Sequence, residues 1–367
     1  MMRRFAPARL AALLLAVLTV SCAPRGEITI GFVASLSGMD YMLGTEGRDA
    51  AFLFVDRLNE EGGIGGRKLR LELRDLASDD SRAPDAVRDL KAAGAAAILG
   101  FFSSSSALQA LPVLEETGIP AVSPTSTSAE LSGKDDPFFR TIMTSARDPA
   151  VLARRMRESR HSRVLFLAAA YNRPYYETYR SGLVPEVALV DTVLYNRLEE
   201  IDYGRLEALA RDPGFDAVMI VASSLDSGTI AQNLVRQGIR KPLYLSGWAG
   251  NEDVITYGGK AVEGAVLVHQ VDLDRASTYP LSVLYKKTFG VSPGYGALET
   301  WDSLIFLTEG LKAARGDPGK LRSTLRGIRS FEGTLGTIRM DEFGDAFRPL
   351  YLKRIIGGRF VVLGRAD

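Results

Sequence analysis

The chain has 367 residues, with 45 Lys and Arg against 44 Asp and Glu and a formal net charge of +1. That balance leaves no basic field for nucleic acid and no acidic tail. A single cysteine excludes an internal disulfide, and two isolated histidines, His161 and His269, offer no metal-ligand spacing, so packing alone must hold the fold.

Arg3 and Arg4 precede an apolar run, Leu10 to Val20, which stops at Ser21 and Cys22. A basic start, a short apolar core and a small-residue exit describe an export signal over 1–21. The run is shorter than the about 20 apolar residues that a transmembrane helix needs. Cys22, the only cysteine, resembles the lipidated first residue of a mature bacterial lipoprotein, with 22–26 as its linker. The alternative is an ordinary cleaved signal with a chance cysteine. Either way the mature chain is expected to work outside the cytoplasmic membrane. Loss of the leader removes three arginines and no acid, which leaves the remainder slightly acidic. That remainder exceeds the about 250–300 residues that one core serves, so two domains are expected.

Ile28 to Val33 reads as a strand, and Gly44 to Leu58 as a helix with Ala50, Ala51, Phe54, Val55 and Leu58 on one face. Strand Leu69 to Leu73, helix Ala83 to Ala93, buried strand Ala95 to Leu99, helix Ser106 to Glu116 and a short strand end at Ala121-Val122 follow. Lys134 to Asp148, with Pro137 inside it and Pro149 after it, lacks a helical pattern and is the expected crossover. The rhythm restarts at Val164 to Leu167. It continues through helix Tyr175 to Leu183, strand Val187 to Leu194, helix Tyr203 to Ala210, strand Ala217 to Val221, helix Gly228 to Gln237 and strand Leu243 to Leu245. Such alternation predicts an α/β fold of two Rossmann-like lobes with parallel central sheets. Ala95 to Ser104 and Asp216 to Ser224 are both apolar runs ending in serine pairs, at equivalent points of the two series. Leu281 to Phe289 and Ala297 to Ala314 are late helices. Leu350 to Ile356 and Phe360 to Leu363 read as a hairpin around Gly357-Gly358.

Asn59 to Gly66 is glycine-rich but lacks Gly-Lys-Ser/Thr and follows its helix, so it reads as a tight turn and not a phosphate loop. Gly100 to Ser106 lies between a buried strand and a helix. Ligands of open α/β sheets bind beyond such carboxyl ends, where the next helix offers free N–H groups. No Gly-x-Ser-x-Gly elbow and no base beside a nucleophile is present, so hydrolysis is not expected.

Ser37-Gly38 with Gly44, the turn Asn59 to Gly66, the pair Gly100–Ser106 and Gly118–Thr127, and Tyr295 to Ala313 with Thr300-Trp301-Asp302 occur in one order. Together they resemble the type I periplasmic binding proteins of branched-chain amino acid transporters, the leucine/isoleucine/valine-binding family. The resemblance implies two lobes joined by a multi-strand hinge, 27–143 with 274–340 and 148–270 with 345–367. It implies a monomeric solute-binding lipoprotein, without cofactor, that serves the permease of an ATP-driven importer. A sensory lipoprotein of the same fold is the alternative role.

The same resemblance places a ligand carboxylate at Ser104, Thr125 and Thr127, and a closing aromatic at Tyr175, with Tyr176 as a near alternative. Gly247 or Trp248 stands where the family's ammonium-binding glutamate would be. Asp226, beside Ser224 in the turn after Val221, either replaces that acid or caps the helix that follows. Failing both, the ligand has no ammonium. Phe102, Tyr175 and Trp248 would wall an aromatic cleft, or pack in the core.

Overall fold

The computed structural model describes residues 26–211 and 214–366. The apolar run Leu10 to Val20 and Cys22 lie outside the described residues. Among the described residues no helix is long and apolar enough to cross a membrane.

The first sheet carries β1 (Ile28–Ala34), β2 (Leu69–Asp75), β3 (Ala97–Gly100), β4 (Ala121–Ser123) and β5 (Phe138–Arg140), all parallel in the order β2-β1-β3-β4-β5. Its helices are α1 (Met42–Glu60), α2 (Ala83–Ala92) and α3 (Ser104–Thr117). The chain then enters α4 (Asp148–Glu158) and a second series. That series runs β6 (Arg163–Ala169), α5 (Arg173–Leu183), β7 (Ala188–Tyr195), α6 (Tyr203–Arg211), β8 (Ala217–Val221), α7 (Ser224–Arg236), β9 (Leu243–Leu245), α8 (Asp253–Gly258) and β10 (Val266–His269).

After β10 come α9 (Leu273–Ala276), α10 (Pro280–Phe289), α11 (Tyr295–Ala313) and α12 (Pro318–Gly327). A small antiparallel sheet of β11 (Ser330–Gly333), β12 (Gly336–Met340) and β13 (Ala346–Phe347) follows. The chain ends in β14 (Tyr351–Ile355) and β15 (Phe360–Arg365), which add antiparallel to the second sheet in the order β15-β14-β10-β9-β8-β6-β7.

The central strands are continuous apolar runs because both faces are covered: β8 is buried at every residue. Two of the departures from expectation lie where the chain crosses between the lobes. The segment Lys134 to Asp148 contains β5, a full strand, so the crossover is shorter than its proline content suggested. Asp148 to Glu158 is a helix whose arginines and glutamate obscure the periodicity of its buried Val151, Leu152 and Met156.

Strand order reverses between β1 and β3 in one sheet and between β6 and β8 in the other. Both switch points open toward the seam between the two lobes. Where the chain passes between the lobes, it is tied to itself. Met143 N–H donates to Gln270 Oε1 at 2.7 Å, and Gln270 Nε2 donates back to Met143 O at 2.8 Å. Arg348 Nε donates to Thr141 O at 2.8 Å. The same buried guanidinium bonds Asp302, which also accepts from Thr334 N at 2.6 Å. Its Nη1 lies 3.0 Å from Glu299 Oε1 without hydrogen-bond alignment. Burial pushes Glu299 up to about 8 despite that cation.

Removing the cation strands buried carboxylates, which costs about 3–5 kcal/mol. Arg348→Met should therefore lower the unfolding free energy obtained from urea denaturation by that much, and Arg348→Lys should recover only part, since an ammonium lacks the planar fork. A loss below about 1 kcal/mol, the worth of an exposed pair, would contradict the arrangement.

Candidate ligand-binding site

The turns at the two switch points enclose a cavity of about 40 Å³. Phe102, Ser104, Thr125 and Thr127 line it from the first sheet. Asn172, Tyr175, Gly247 and Trp248 line it from the second, and Asp148, His269 and Gln270 come from the crossing segments. Tyr295, at the start of α11, closes one side.

The first wall is built on α3. Its N-cap is Ser103, whose hydroxyl accepts from Ser106 N–H at 3.0 Å. Ser104 opens the helix, two residues earlier than the sequence pattern placed it, and is only 2% exposed. Its Oγ accepts from Thr127 N–H at 3.2 Å and Ser128 N–H at 3.0 Å. With both lone pairs used, the hydroxyl is left to act as a donor. The unpaired N–H groups of the first helical turn and the helix dipole point the same way, toward an anion. Thr127 adds its hydroxyl to the same space. Thr125 lines the same cavity. Its hydroxyl hydrogen goes to Phe102 O at 2.7 Å, so it offers lone pairs and not a donor. Phe102 itself reaches the cavity because α1 has glycine beside it: a Cβ on Gly47 would meet the ring at 2.4 Å.

The second wall is aromatic. Tyr175 and Trp248 meet edge-on with centroids 5.7 Å apart. Tyr175 is held by Trp248 N–H, which donates to its oxygen at 3.1 Å. Tyr175 donates to Tyr179 Oη at 3.3 Å, and Tyr179 donates to Asp148 Oδ2 at 2.9 Å. Gly247 N–H fixes Tyr179 from the other side at 3.1 Å. Asp148 is 4% exposed, and its Oδ1 is buried with no hydrogen-bond partner, as is Asn172 Oδ1. Burial pushes the Asp148 carboxyl up to about 7, against the Tyr179 hydrogen bond and the charge of Arg147.

Asp226 and Ser224 are not among the residues lining the cavity. Asp226 accepts from Tyr195 Oη at 2.9 Å, and its N–H bonds the Ser223 cap at 3.2 Å, so the structure places it in the start of α7. Ser224 Oγ bonds Trp248 O at 3.4 Å, behind the aromatic wall. Tyr176 packs within the core rather than on the cavity. Among the cavity residues that sequence reasoning missed, two carry titratable side chains. His269, met in the sequence only as an isolated histidine, lies in the wall. Burial pushes its imidazole down to about 3, so it is neutral, and its Nδ1 accepts from Val271 N–H at 3.0 Å. Asp148, placed in the crossover, is the acid of the cavity. The Asp-Pro start of α4 was its one available signal, since acids favour a helix's first turn.

Asp148 gives the protein a pH signature. Its folded value stands above the ordinary 3.8, so the folded chain keeps a proton that the unfolded chain has lost. This stability is complete below pH about 4 and is lost as pH rises through about 7. Asp148→Asn should flatten the fall of melting temperature across that window. A residual slope from Glu46 and Glu299, both pushed up to about 8, should persist in both proteins. Identical slopes would mean that Asp148 is ionised and solvated.

The geometry agrees with comparisons to known proteins. A family model described as periplasmic binding protein matches residues 27–359. The Leu/Ile/Val-binding protein homolog 3 of Brucella melitensis is 20% identical over 345 residues, covering 92% of this chain and 93% of that protein. The branched-chain amino acid transporter substrate-binding protein LivJ of Streptococcus pneumoniae, solved with isoleucine, shares the fold with a TM-score of 0.82 at 19% identity, over 92% of this chain and 98% of its own. A solute-binding protein of an ABC transporter from R. palustris, solved with benzoate, has a TM-score of 0.83 at 19% identity, over 93% and 97%. The two lobes, the parallel sheets and the match over nearly the whole described chain lead to one conclusion: this chain belongs to the periplasmic binding protein family.

Proposed function

We propose that this chain is the extracytoplasmic, lipid-anchored solute-binding component of an ATP-driven importer. It is a monomer whose lobes, 27–143 with 274–340 and 148–270 with 345–367, close around a small carboxylate solute. The observation that carries this reading is the cavity itself, lined from both sheets and bearing the Ser104 hydroxyl at the start of α3. A solute there stabilises the closed form only through contacts made with both lobes at once, and the closed form is what a permease would recognise. No chemistry is performed. Amino acids are the favoured solutes, in keeping with the relatives' printed names. Cys22, directly after the apolar run, is the lipidated residue that keeps the protein at the membrane.

The aromatic wall favours a second reading. Phe102, Tyr175, Trp248 and Tyr295 would suit an aromatic acid without an ammonium, like the benzoate bound by the R. palustris protein.

Three measurements test the proposal. Leucine, isoleucine, valine and benzoate should be screened by melting temperature, and a true solute should raise it in proportion to log concentration. For that solute Ser104→Ala should weaken binding roughly 10- to 150-fold, the worth of a hydrogen bond to a charged group. Full affinity in the variant would remove the carboxylate site. Separately, the wild-type protein should partition into detergent and Cys22→Ser should not. Equal solubility would favour a plain cleaved signal.

A further inference from the structure

The second lobe holds a larger recess at the end of its sheet that faces away from the solute cavity. Leu243 and Val266, the first residues of β9 and β10, line this recess of about 450 Å³. Gly247 and His269, at the far ends of the same strands, line the solute cavity instead. The volume lies within the about 300–1,000 Å³ typical of small-molecule sites. The floor is apolar: Leu234 of α7 and Ile239 in the turn after it are buried together with Leu243 and Val266.

The charge around that floor has one sign. Arg240 and Lys241 lead into β9, Lys260 follows α8, and Arg354 lies on β14 opposite Val266, so three separate parts of the chain bring cations to one place. None of the four forms an ion pair among the described residues. The acid in the lining, Glu263, is already engaged, since it accepts from Gly357 N–H at 2.7 Å and from Gly358 N–H at 3.3 Å. Arg354 Nε is buried without an acceptor. So is Nε of Arg155 on α4, although its Nη1 donates to Glu158 at 3.3 Å. Both guanidinium charges act on Tyr244, which lines the recess with its Oη 3.0 Å from Nδ1 of His161.

Like charges gathered at one place repel, and a buried donor without an acceptor is costly. The apolar floor already closes the end of the sheet, so packing does not need the charge around it. An anion answers both costs. A carboxylate offers two oxygens in one plane. A phosphate offers two or three around a tetrahedron, with up to about two charges, and can meet cations that arrive from several directions. We propose that this recess is a second ligand site, which takes a phosphate group carried on an apolar body. Arg354 grips the phosphate beside the floor, Arg240, Lys241 and Lys260 meet it at the rim, and the body lies on Leu234, Ile239 and Leu243. The site is separate from the solute cavity and stands whatever solute that cavity takes. A phospholipid headgroup and a soluble phosphate ester share this chemistry.

The test is calorimetry on the full-length protein in a neutral detergent. Hexyl phosphate should bind about 10-fold or more tighter than inorganic phosphate, hexanol should not bind, and added salt should weaken the complex. Arg354→Gln should weaken hexyl phosphate roughly 10- to 150-fold, the worth of a hydrogen bond to a charged group. Lys241→Gln, at the more open rim, should weaken it several-fold. Without phosphate, Arg354→Gln should melt no lower than the wild type, because the replaced cation has no partner in the fold. A fall in melting temperature would make Arg354 a structural residue and overturn the assignment. Short-chain phosphatidylglycerol and phosphatidylcholine separate the sources. Phosphatidylglycerol bound as tightly as hexyl phosphate, with phosphatidylcholine unbound, supports the site with a membrane lipid as its ligand. Hexyl phosphate bound alone supports it with a soluble ester. Binding of neither hexyl phosphate nor phosphatidylglycerol, or binding that both variants leave intact, would overturn the site.

Discussion

A carboxylate taken out of water must be met by donors or it gives up its charge, and the seam between the two lobes buries several. Each is answered differently. Asp302 is met fully, by Arg348 and by Thr334. Glu46, on α1, is met on Oε1 by the Asn251 amide at 3.1 Å, its Oε2 is buried without a hydrogen-bond partner, and burial holds it near 8. Asp148 is met on one oxygen alone. The first holds the structure together. The other two each leave one oxygen unanswered, and of these Asp148 is the one that lines the cavity between the lobes.

The same constraint explains the hydroxyl wall. Ser104 satisfies the N–H groups of Thr127 and Ser128 and thereby shapes the second turn around the first. Its role in the fold does not compete with a role toward an anion, because the first uses lone pairs and the second uses the hydrogen. One side chain on a strand–helix turn can therefore position its neighbours and still present a donor.

Much of the fold was legible in the sequence. Apolar runs of strand length alternating with amphipathic helices announced the parallel sheets, and Gly357-Gly358 announced the last hairpin, which β14 and β15 form. The serine turn was legible because a buried strand, a polar turn and a helix follow one another locally. What failed to show was long-range. Asp226 follows a turn much like that of Ser104, but its side chain faces Tyr195 on β7. Asp148 sits among prolines and arginines with no periodic signal, and reaches the cavity only because α4 starts where the chain crosses between lobes. The sheet of β11 to β13 was not anticipated, since its strands are short and largely exposed.

The paired hydrogen bonds between Gln270 and Met143 have a mechanical meaning. A side chain that both accepts from and donates to one backbone residue resists sliding of the two segments along each other, but resists rotation about them much less. Arg348 adds a second pin at Thr141, close by along the same crossing. At a distance from these pins, Asn251 bridges to Glu46 and to Tyr295 N–H, and Tyr295 Oη donates to Trp248 O at 3.4 Å. The seam is therefore stiff along one edge and lightly fastened along the other, like a book with a bound spine and a light clasp. A solute too long for the cavity cannot be admitted by one lobe shifting past its partner. It can only hold the covers ajar, so size selection in this protein is a matter of angle.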